Sequence, residues 1–287
     1  VAPRARWIAT RPCDFDCSME NFIRSGEWVL APTDRNGENP RPDLRPHVVN
    51  NSWGFSGGDA FYHDIVRAWV DAGIFPAFSA GNEGSSCSTL RSPGDYAESF
   101  TVGAHTIDNS IADFSSRGSS LFDGTVKPDL TAPGVDVRSS VPGGGYEFFS
   151  GTSMAAPHLA GAVALMWSAA PALVNDVEAT RAILEQTAID MSDLSCGGTE
   201  EDNNVWGEGR LDAYEAVNQA PRGPTGFLVG IVTAEGGDPI ANATVRATGA
   251  IGTRATRTSP EGRYTLRLPV DSYSATVSAF GLIGEAV

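Results

Sequence analysis

Ser153 lies in the stretch SGTSMAAPHLAG (150–161), where small, flexible residues precede a run of small and apolar ones. The run is typical of a buried helix, with Leu159, Val163 and Met166 on one stripe. A serine at the start of such a helix stands near the positive end of the helix dipole, which favours a developing negative charge. This position suits a nucleophilic serine, and it equally suits a serine that only caps the helix.

Two other polar segments follow predicted strands. The stretch SAGNEG (79–84) places Asn82 just after one strand, and NNSWG (50–54) ends another strand with Gly54. Open α/β proteins place their sites at the carboxyl ends of parallel strands, so these residues should lie near one another. The Asn82 amide can donate a hydrogen bond to an oxyanion, and Gly54 lets an extended peptide approach the backbone. With Ser153, they favour nucleophilic catalysis over a simple helix cap.

The segments that must position these side chains alternate between strand-like and helical patterns from Trp7 to about Asn218. Short apolar runs predict buried parallel strands at 47–53, 73–81 and 99–106. Between the first two strands a helix is predicted at 59–72, with Asp59 as its cap and Gly73 at its end. Further helices are predicted at 175–188, capped by Asn175 or Asp176, and at 209–218. This order predicts an α/β fold, a parallel sheet flanked by helices.

A second sequence pattern begins after QAPRGPTG (219–226), whose two prolines and two glycines indicate a linker. Beyond it, apolar and polar residues alternate with a period of two, as in RYTLRLP and SYSATVSAF. This pattern predicts a small antiparallel β-sandwich, short enough that we expect it to be truncated. The predicted organisation is a first domain at 1–218, a linker at 219–224 and the β-sandwich at 225–287.

Six motifs stand in the order seen in subtilisin-like serine proteases: NNSWG, SAGNEG, FSSRG, KPDLTAPG, SGTSMAAPHLAG and GEGRLDAYEAV. Residues 1–218 resemble this family, in its bacillopeptidase F-like branch, and the C-terminal part resembles the carboxypeptidase-regulatory-like β-sandwich of secreted enzymes. The resemblance implies that Ser153 is the nucleophile and Asn82 the oxyanion-hole amide. It further implies that Ser52, Trp53 and Gly54 form the strand that pairs with the substrate backbone. Ala80 and Gly81 would form a wall of the pocket that takes the substrate side chain before the scissile bond.

The family also implies a catalytic Asp and a catalytic His, which come before the serine in the chain. Their Asp-Thr/Ser-Gly and His-Gly-Thr-His motifs do not occur here, and the histidines are His47, His63, His105 and His158. His158 follows Ser153 by five residues, which places it about 7.5 Å along the helix and on another face. The opening VAPRARWIATR resembles the strand that follows the family's His segment. We therefore expect that the sequence is truncated and that the 287 residues alone have little or no peptidase activity.

The composition limits the other function classes. A net charge of −15 without a basic patch argues against nucleic-acid binding. The most apolar run, 159–174, is too short and too interrupted to span a membrane. Four cysteines, Cys13, Cys17, Cys87 and Cys196, allow three pairings, and they favour oxidised pairs outside the cell over a metal site. We expect a secreted protein that acts on polypeptide substrates.

No cofactor is expected to be required. The stretch TDRNGENPRPD (33–43) carries Asp34, Asn36, Glu38 and Asp43, and oxygen ligands at alternate positions can hold Ca²⁺. Its spacing departs from that of a helix–loop–helix calcium loop and favours an exposed Asx turn. Members of the family that this sequence resembles often bind calcium. The resemblance therefore allows a structural Ca²⁺ in another part of the chain, but it does not indicate the ligands.

Two functions remain open from the sequence. The first is a serine endopeptidase that acts through an acyl-enzyme on Ser153. The second is a non-catalytic scaffold, a protease-like domain whose β-sandwich binds a partner that the sequence does not identify.

Overall fold

A computed structural model describes residues 2–13, 17–221, 223–249 and 252–279. Its helices are α1 (Met19–Leu30), α2 (His63–Asp71), α3 (Thr152–Ala169), α4 (Val177–Gln186) and α5 (Ala213–Gln219). Its strands are β1 (Val48–Asn51), β2 (Phe75–Ser79), β3 (Phe100–His105), β4 (Leu130–Pro133), β5 (Val137–Val141), β6 (Gly145–Phe149), β7 (Thr225–Ile231), β8 (Thr244–Gly249), β9 (Gly252–Arg257), β10 (Arg263–Pro269) and β11 (Ser274–Ser278). Short 3₁₀ turns lie at Pro42–Leu44, Pro171–Leu173 and Leu194–Cys196.

Strands β1 to β4 form one parallel sheet in the order of the chain. The register pairs Asn51 with Phe78 and Ser79 with Val102, so the strands end near one another along the same edge. Helix α2 makes the crossover between β1 and β2, as the alternating pattern predicts. The expected α/β fold with a parallel sheet is confirmed, and its carboxyl edge carries the candidate site.

Each face of the sheet has its own core, and strand β2 contributes to both. Phe75 and Ala77 belong to the core under α3, where Leu159, Val163 and Met166 are fully buried. Full burial of each of these three side chains is worth about 1.5–3 kcal/mol. Phe78 points to the other face, against a cluster of apolar and aromatic residues from α1 and α2. Helix α3 is thereby anchored on the sheet, which fixes the position of Ser153.

Two predicted helices are shorter than their sequence patterns. Helix α2 begins at His63, because Asp59 accepts a hydrogen bond from the Phe61 amide in an Asx turn instead of capping the helix. Helix α5 begins after its cap Asp212, because Arg210 forms β-bridges to Thr131 and Ile189. The prediction at 175–188 agrees better, since Asp176 caps α4 and accepts from the Ala179 amide at 2.9 Å.

Helix α1 and the β5–β6 hairpin have no counterpart in the sequence-based assignment. Ser18 caps α1 by accepting from the Asn21 amide. The strand implied by the resemblance at the start of the chain is not formed. There Trp7 is 84% exposed and Ile8 50% exposed, since no described strand lies beside this segment to bond with it.

The C-terminal part forms a two-stranded sheet, β10–β7, and a three-stranded sheet, β11–β8–β9, both antiparallel. Leu266 and Leu268 are buried with Ala247 between the sheets, while Thr265 of the same strand is exposed, as the period-two alternation predicts. A small antiparallel β-sandwich is therefore confirmed. The last eight residues of the predicted domain, 280–287, lie outside the described residues.

The four cysteines form two disulfides, Cys13–Cys17 and Cys87–Cys196. The second of these links the loop after β2 to the 3₁₀ turn at Leu194–Cys196, across 109 residues of sequence. None of the helices in the described ranges is long and apolar enough to cross a lipid bilayer.

Candidate active site

Ser153 is the second residue of α3, and Gly151 occupies the cap position before it. Its hydroxyl therefore does not cap the helix, and it donates instead to the backbone oxygen of Ser52 at 3.3 Å. The Ser52 hydroxyl donates in return to the Ser153 carbonyl at 2.8 Å. This reciprocal pair holds the start of α3 against the segment that follows β1, and it leaves Ser153 half-buried at the edge of a cleft.

Asn82 lies beside Ser153 in a fixed orientation. The Thr152 amide, which can only donate, lies 2.8 Å from Asn82 Oδ1. The Thr152 hydroxyl lies 3.0 Å from the same oxygen. Because Oδ1 is engaged in this way, the Nδ2 group stays available as a donor. Asn82 Nδ2 and the Ser153 backbone amide are thus two donors of the kind that stabilise an oxyanion, and both residues line the same cleft.

A cleft of about 310 Å³ opens next to this pair, lined by Trp53, Gly54, Phe55, Ser56, Ser79, Gly81, Asn82, Glu83, Arg91 and Ser153. Its walls depend on two glycines. Gly81 has a φ of +111°, and a Cβ there would lie 2.6 Å from Arg91 Cγ. A Cβ at Gly54 would lie 2.9 Å from Arg91 Cβ. The aliphatic part of Arg91 therefore runs between two stretches of bare backbone.

The cleft contains one ion pair, in which Arg91 Nε lies 2.9 Å from Glu83 Oε2. Glu83 Oε2 also accepts from the backbone amide of Asn82 at 2.9 Å and from the Ser116 hydroxyl at 3.2 Å. The bond to Arg91 is the main reason that the pKa of Glu83 lies below its ordinary value, and Glu83 raises the pKa of Arg91 in turn. Both groups are therefore charged at neutral pH.

The other sequence-predicted residues take different places around the cleft. Trp53 lines it, with its indole donating to Asn51 Oδ1 at 3.2 Å and its ring packed on Phe22. Ser52 does not line the cleft and reaches the site only through Ser153. Ala80 is fully buried behind the wall, because its backbone continues the strand pattern and its amide donates to Val102.

Sequence reasoning missed Arg91 and the part played by Glu83. Arg91 lies in no recognisable motif, and its place depends on a loop that returns from Glu83 to the sheet edge. The Arg91 amide donates to Ala80 at 3.0 Å, and the next residue, Ser92, accepts from Phe55 at 2.8 Å. Only the tertiary structure shows that these bonds put the Arg91 side chain across the cleft.

None of the four histidines, all in described parts of the chain, is hydrogen-bonded to Ser153. His158 Nδ1 faces the Met154 carbonyl at 2.9 Å, and His63 Nε2 faces Glu98 Oε2 at 2.8 Å. His105 is buried beside Thr131, and burial is the main cause that lowers its pKa to about 4. His47 lies just before β1, and its ring is edge-on to the ring of Trp167. Ser153 and the two candidate oxyanion donors are therefore present, and each of the four histidines contacts other groups.

The loop at 33–43 is organised by its own side chains. Asp34 accepts from the Asn36 and Glu38 amides at 2.9 and 3.0 Å, and from the Asn39 side chain at 3.0 Å. These bonds form the expected Asx turn. Asp43 pairs with Arg41 at 2.6 Å. Among the described residues, no three His, Cys, Asp or Glu side chains converge as metal ligands.

Comparison with protein families gives two matches. The model described as "Subtilase family" matches residues 1–220, and "Carboxypeptidase regulatory-like domain" matches residues 228–285. Bacillopeptidase F of Bacillus subtilis (strain 168) is 42% identical over 245 residues, 83% of this chain and 17% of that protein. Subtilisin E of the same strain is 43% identical over 192 residues, 66% of this chain and 45% of its own length. The chain thus spans less than half of each of these relatives.

Solved structures give a consistent result. The patellamide maturation protease PatA aligns with a TM-score of 0.56 at 26% identity, over 71% of this chain and 69% of its own. The prenylagaramide maturation protease PagA aligns with a TM-score of 0.55 at 22% identity, over 72% of this chain and 70% of its own, which shows the shared fold. The motif order, the parallel sheet, the Ser153–Asn82 geometry and the family match over 1–220 agree, and the chain belongs to the subtilase family.

Proposed function

We propose that this chain carries the nucleophile, oxyanion hole and substrate cleft of a secreted serine endopeptidase. The observation that carries the proposal is the fixed side-chain amide of Asn82, whose Oδ1 accepts from the Thr152 backbone amide at 2.8 Å in the cleft that Ser153 also lines. An amide held in this way needs no reorganisation when negative charge develops next to it. The disulfides favour the secreted location, because such bonds persist in oxidising compartments.

The proposed reaction is acyl transfer to Ser153. Its Oγ bonds to the carbonyl carbon of a peptide while its proton passes to a histidine base, and the oxyanion accepts from Asn82 Nδ2 and the Ser153 amide. The carbon–nitrogen bond then breaks, and the amine leaves with the proton held by the base. Water finally hydrolyses the ester and releases the acid. The substrate backbone would lie extended beside Ser52–Gly54, and no cofactor takes part.

The base of this reaction is not one of the histidines of this chain. An alcohol that donates only to a backbone carbonyl, as Ser153 does to Ser52, is a poor nucleophile at neutral pH. We therefore predict that the 287-residue chain alone hydrolyses little or no peptide and reacts slowly with a serine-directed fluorophosphonate. The measurement is the labelling rate by mass spectrometry, with Ser153→Ala as the blank. Rapid stoichiometric labelling of Ser153 would refute the prediction.

A non-catalytic scaffold is the competing function, and the orphaned serine favours it. The two proposals differ in what is encoded upstream. Asp-Thr/Ser-Gly and His-Gly-Thr-His motifs encoded upstream, in the family order Asp, His, Ser, would support the peptidase. Continuous upstream coding sequence without them would support the scaffold.

A further inference from the structure

Backbone hydrogen bonds of Arg91 and its neighbour Ser92 hold Arg91 at the cleft. Its amide donates to Ala80 at the end of β2, and its neighbour Ser92 accepts from Phe55, just after the predicted substrate-pairing strand. The side chain then passes between Gly54 and Gly81, where a Cβ on either glycine would lie within 3.0 Å of its Cβ or Cγ. The backbone therefore directs Arg91 into the space beside Ser153.

The two members of the ion pair, Glu83 and Arg91, differ in how many of their polar atoms have partners. Glu83 Oε2 already faces three groups, which are the backbone amide of Asn82, the Ser116 hydroxyl and Arg91 Nε. Arg91 is engaged through Nε alone, and in the described part of the chain neither of its terminal Nη groups has a hydrogen-bond acceptor. Its side chain is 36% exposed, so these donors are accessible to a ligand. The cleft thus offers two donor groups on Arg91 without an acceptor, while the partners of Glu83 all contact a single oxygen, Oε2.

We propose that Arg91 selects substrates with an acidic side chain, Glu or Asp, at the residue before the scissile bond. This inference rests on the proposed function. When the scissile carbonyl of a peptide lies between Ser153 Oγ and Asn82 Nδ2, the side chain of the residue that carries this carbonyl enters the cleft that Gly54 and Gly81 border. A carboxylate there can accept from both Nη groups of the guanidinium, a geometry that arginine offers to carboxylates.

Two other side-chain classes fit the cleft less well. A lysine would approach Glu83, but it would also face the Arg91 guanidinium, which repels it. A large apolar side chain would pack on Trp53 and Phe55, but it would cover the Nη groups and remove them from water without a partner, which costs free energy. An acidic side chain also faces the Glu83 carboxylate, but the two Nη groups of Arg91 can pair with its own carboxylate while its methylene groups contact the rings.

The test measures binding of product-type peptides to the 287-residue chain, so it does not require catalysis. Four N-acetyl tetrapeptides with identical first three residues end in Glu, Gln, Lys or Phe, and isothermal titration calorimetry gives each Kd. All four carry the same terminal carboxylate, so Glu against Gln reports the side-chain charge. We expect Glu to bind about 10-fold more tightly than Gln, as for a hydrogen bond between charged groups. Salt should reduce the ratio.

The variant Arg91→Gln should reduce the Glu-to-Gln ratio to about 1 and raise the relative affinity for Lys, because Glu83 is then uncompensated. Arg24→Gln is the matched control, since Arg24 forms an exposed ion pair with Glu20 on α1, away from this cleft. It should keep the ratio of the unaltered chain. Should Arg91→Gln fail to fold, the four Kd values of the unaltered chain still decide the question.

Equal binding of the Glu and Gln peptides, or tightest binding of Lys or Phe, would overturn the acidic preference and leave the peptide cleft intact. Failure of all four peptides to bind would instead contradict the proposed function together with this inference. Tighter binding of Glu that persists in Arg91→Gln would assign the preference to another residue and reject the role of Arg91.

Discussion

At the scale of the residue, Asn82 depends on Thr152 rather than on its own motif. The Thr152 backbone amide determines which end of the Asn82 side chain faces the cleft, and Thr152 itself is fully buried. A motif search finds Asn82 and Ser153 but does not show the bond that orients the amide. The sequence thus predicts the residue types of the site, and the contact between α3 and the loop after β2 determines their geometry.

Asn82→Ala should lower turnover much more than it weakens substrate binding, in any longer form of the protein that hydrolyses peptides. Nδ2 is expected to bond more strongly to the oxyanion than to the ground-state carbonyl. Loss of one such donor in a subtilisin lowers kcat by about 10²–10³-fold, and we take that magnitude from this relative. Steady-state kcat and KM are the measurement, with the surface change Asn36→Ala as control. Unchanged turnover would remove Asn82 from the oxyanion hole.

At the scale of the elements, a buried charge network joins β3, β4 and α4. Asp129, just before β4, faces Lys127 Nζ at 2.6 Å and Arg181 Nη2 of α4 at 3.0 Å. Its Oδ2 also accepts from the Thr101 amide of β3 at 2.6 Å. Lys127 is fully buried, and burial lowers the pKa of its ammonium group. The carboxylate of Asp129 therefore compensates two cations that have little access to water.

Asp129→Asn should lower the free energy of unfolding by about 3–5 kcal/mol, because it leaves two buried cations without their counter-charge. Asp43→Asn breaks an ion pair with Arg41 that is more than half exposed, and it should lower the free energy of unfolding much less than Asp129→Asn does. Urea unfolding followed by circular dichroism compares the two variants. Similar losses in both would mean that the buried network contributes no more than a surface pair.

At the scale of the whole molecule, the peptidase-like sheet and the β-sandwich follow different sequence periods. The four-stranded sheet is buried on both faces, so its strands read as short apolar runs. The sandwich buries one face of each sheet, so its strands alternate. The parallel sheet and the antiparallel sandwich could both be predicted from the sequence for this reason, whereas helix α1 and the β5–β6 hairpin could not.

Stability of the folded chain should decline on acidification through His105. Burial, with smaller effects from Arg210 and His158, lowers its pKa to about 4, against about 6.5 in an unfolded chain. Between these values the unfolded state binds a proton that the folded state does not, so stability falls as the pH drops from 6.5 to 4. The expected loss is about 2–3 kcal/mol.

The measurement compares urea unfolding of the unaltered chain with that of His105→Asn at pH 7, 5.5 and 4.5. Asparagine keeps a polar group near Thr131 Oγ1, which faces His105 Nδ1 at 3.1 Å, but it does not titrate. The difference in unfolding free energy between the two proteins should narrow as the pH falls. A constant difference would exclude His105 as the group responsible.

The sequence by itself determined the fold class, the change from apolar runs to period-two alternation, the order of the family motifs and the identity of Ser153 and Asn82 as candidates. These depend on periodicity and on local motifs, which a linear chain displays directly. Only the tertiary structure decided that Ser153 does not cap its helix, that no histidine bonds to it and that Arg91 crosses the cleft. Those features depend on contacts between residues as many as 101 positions apart, as Ser52 and Ser153 are, and such contacts exist only once the strands are in register.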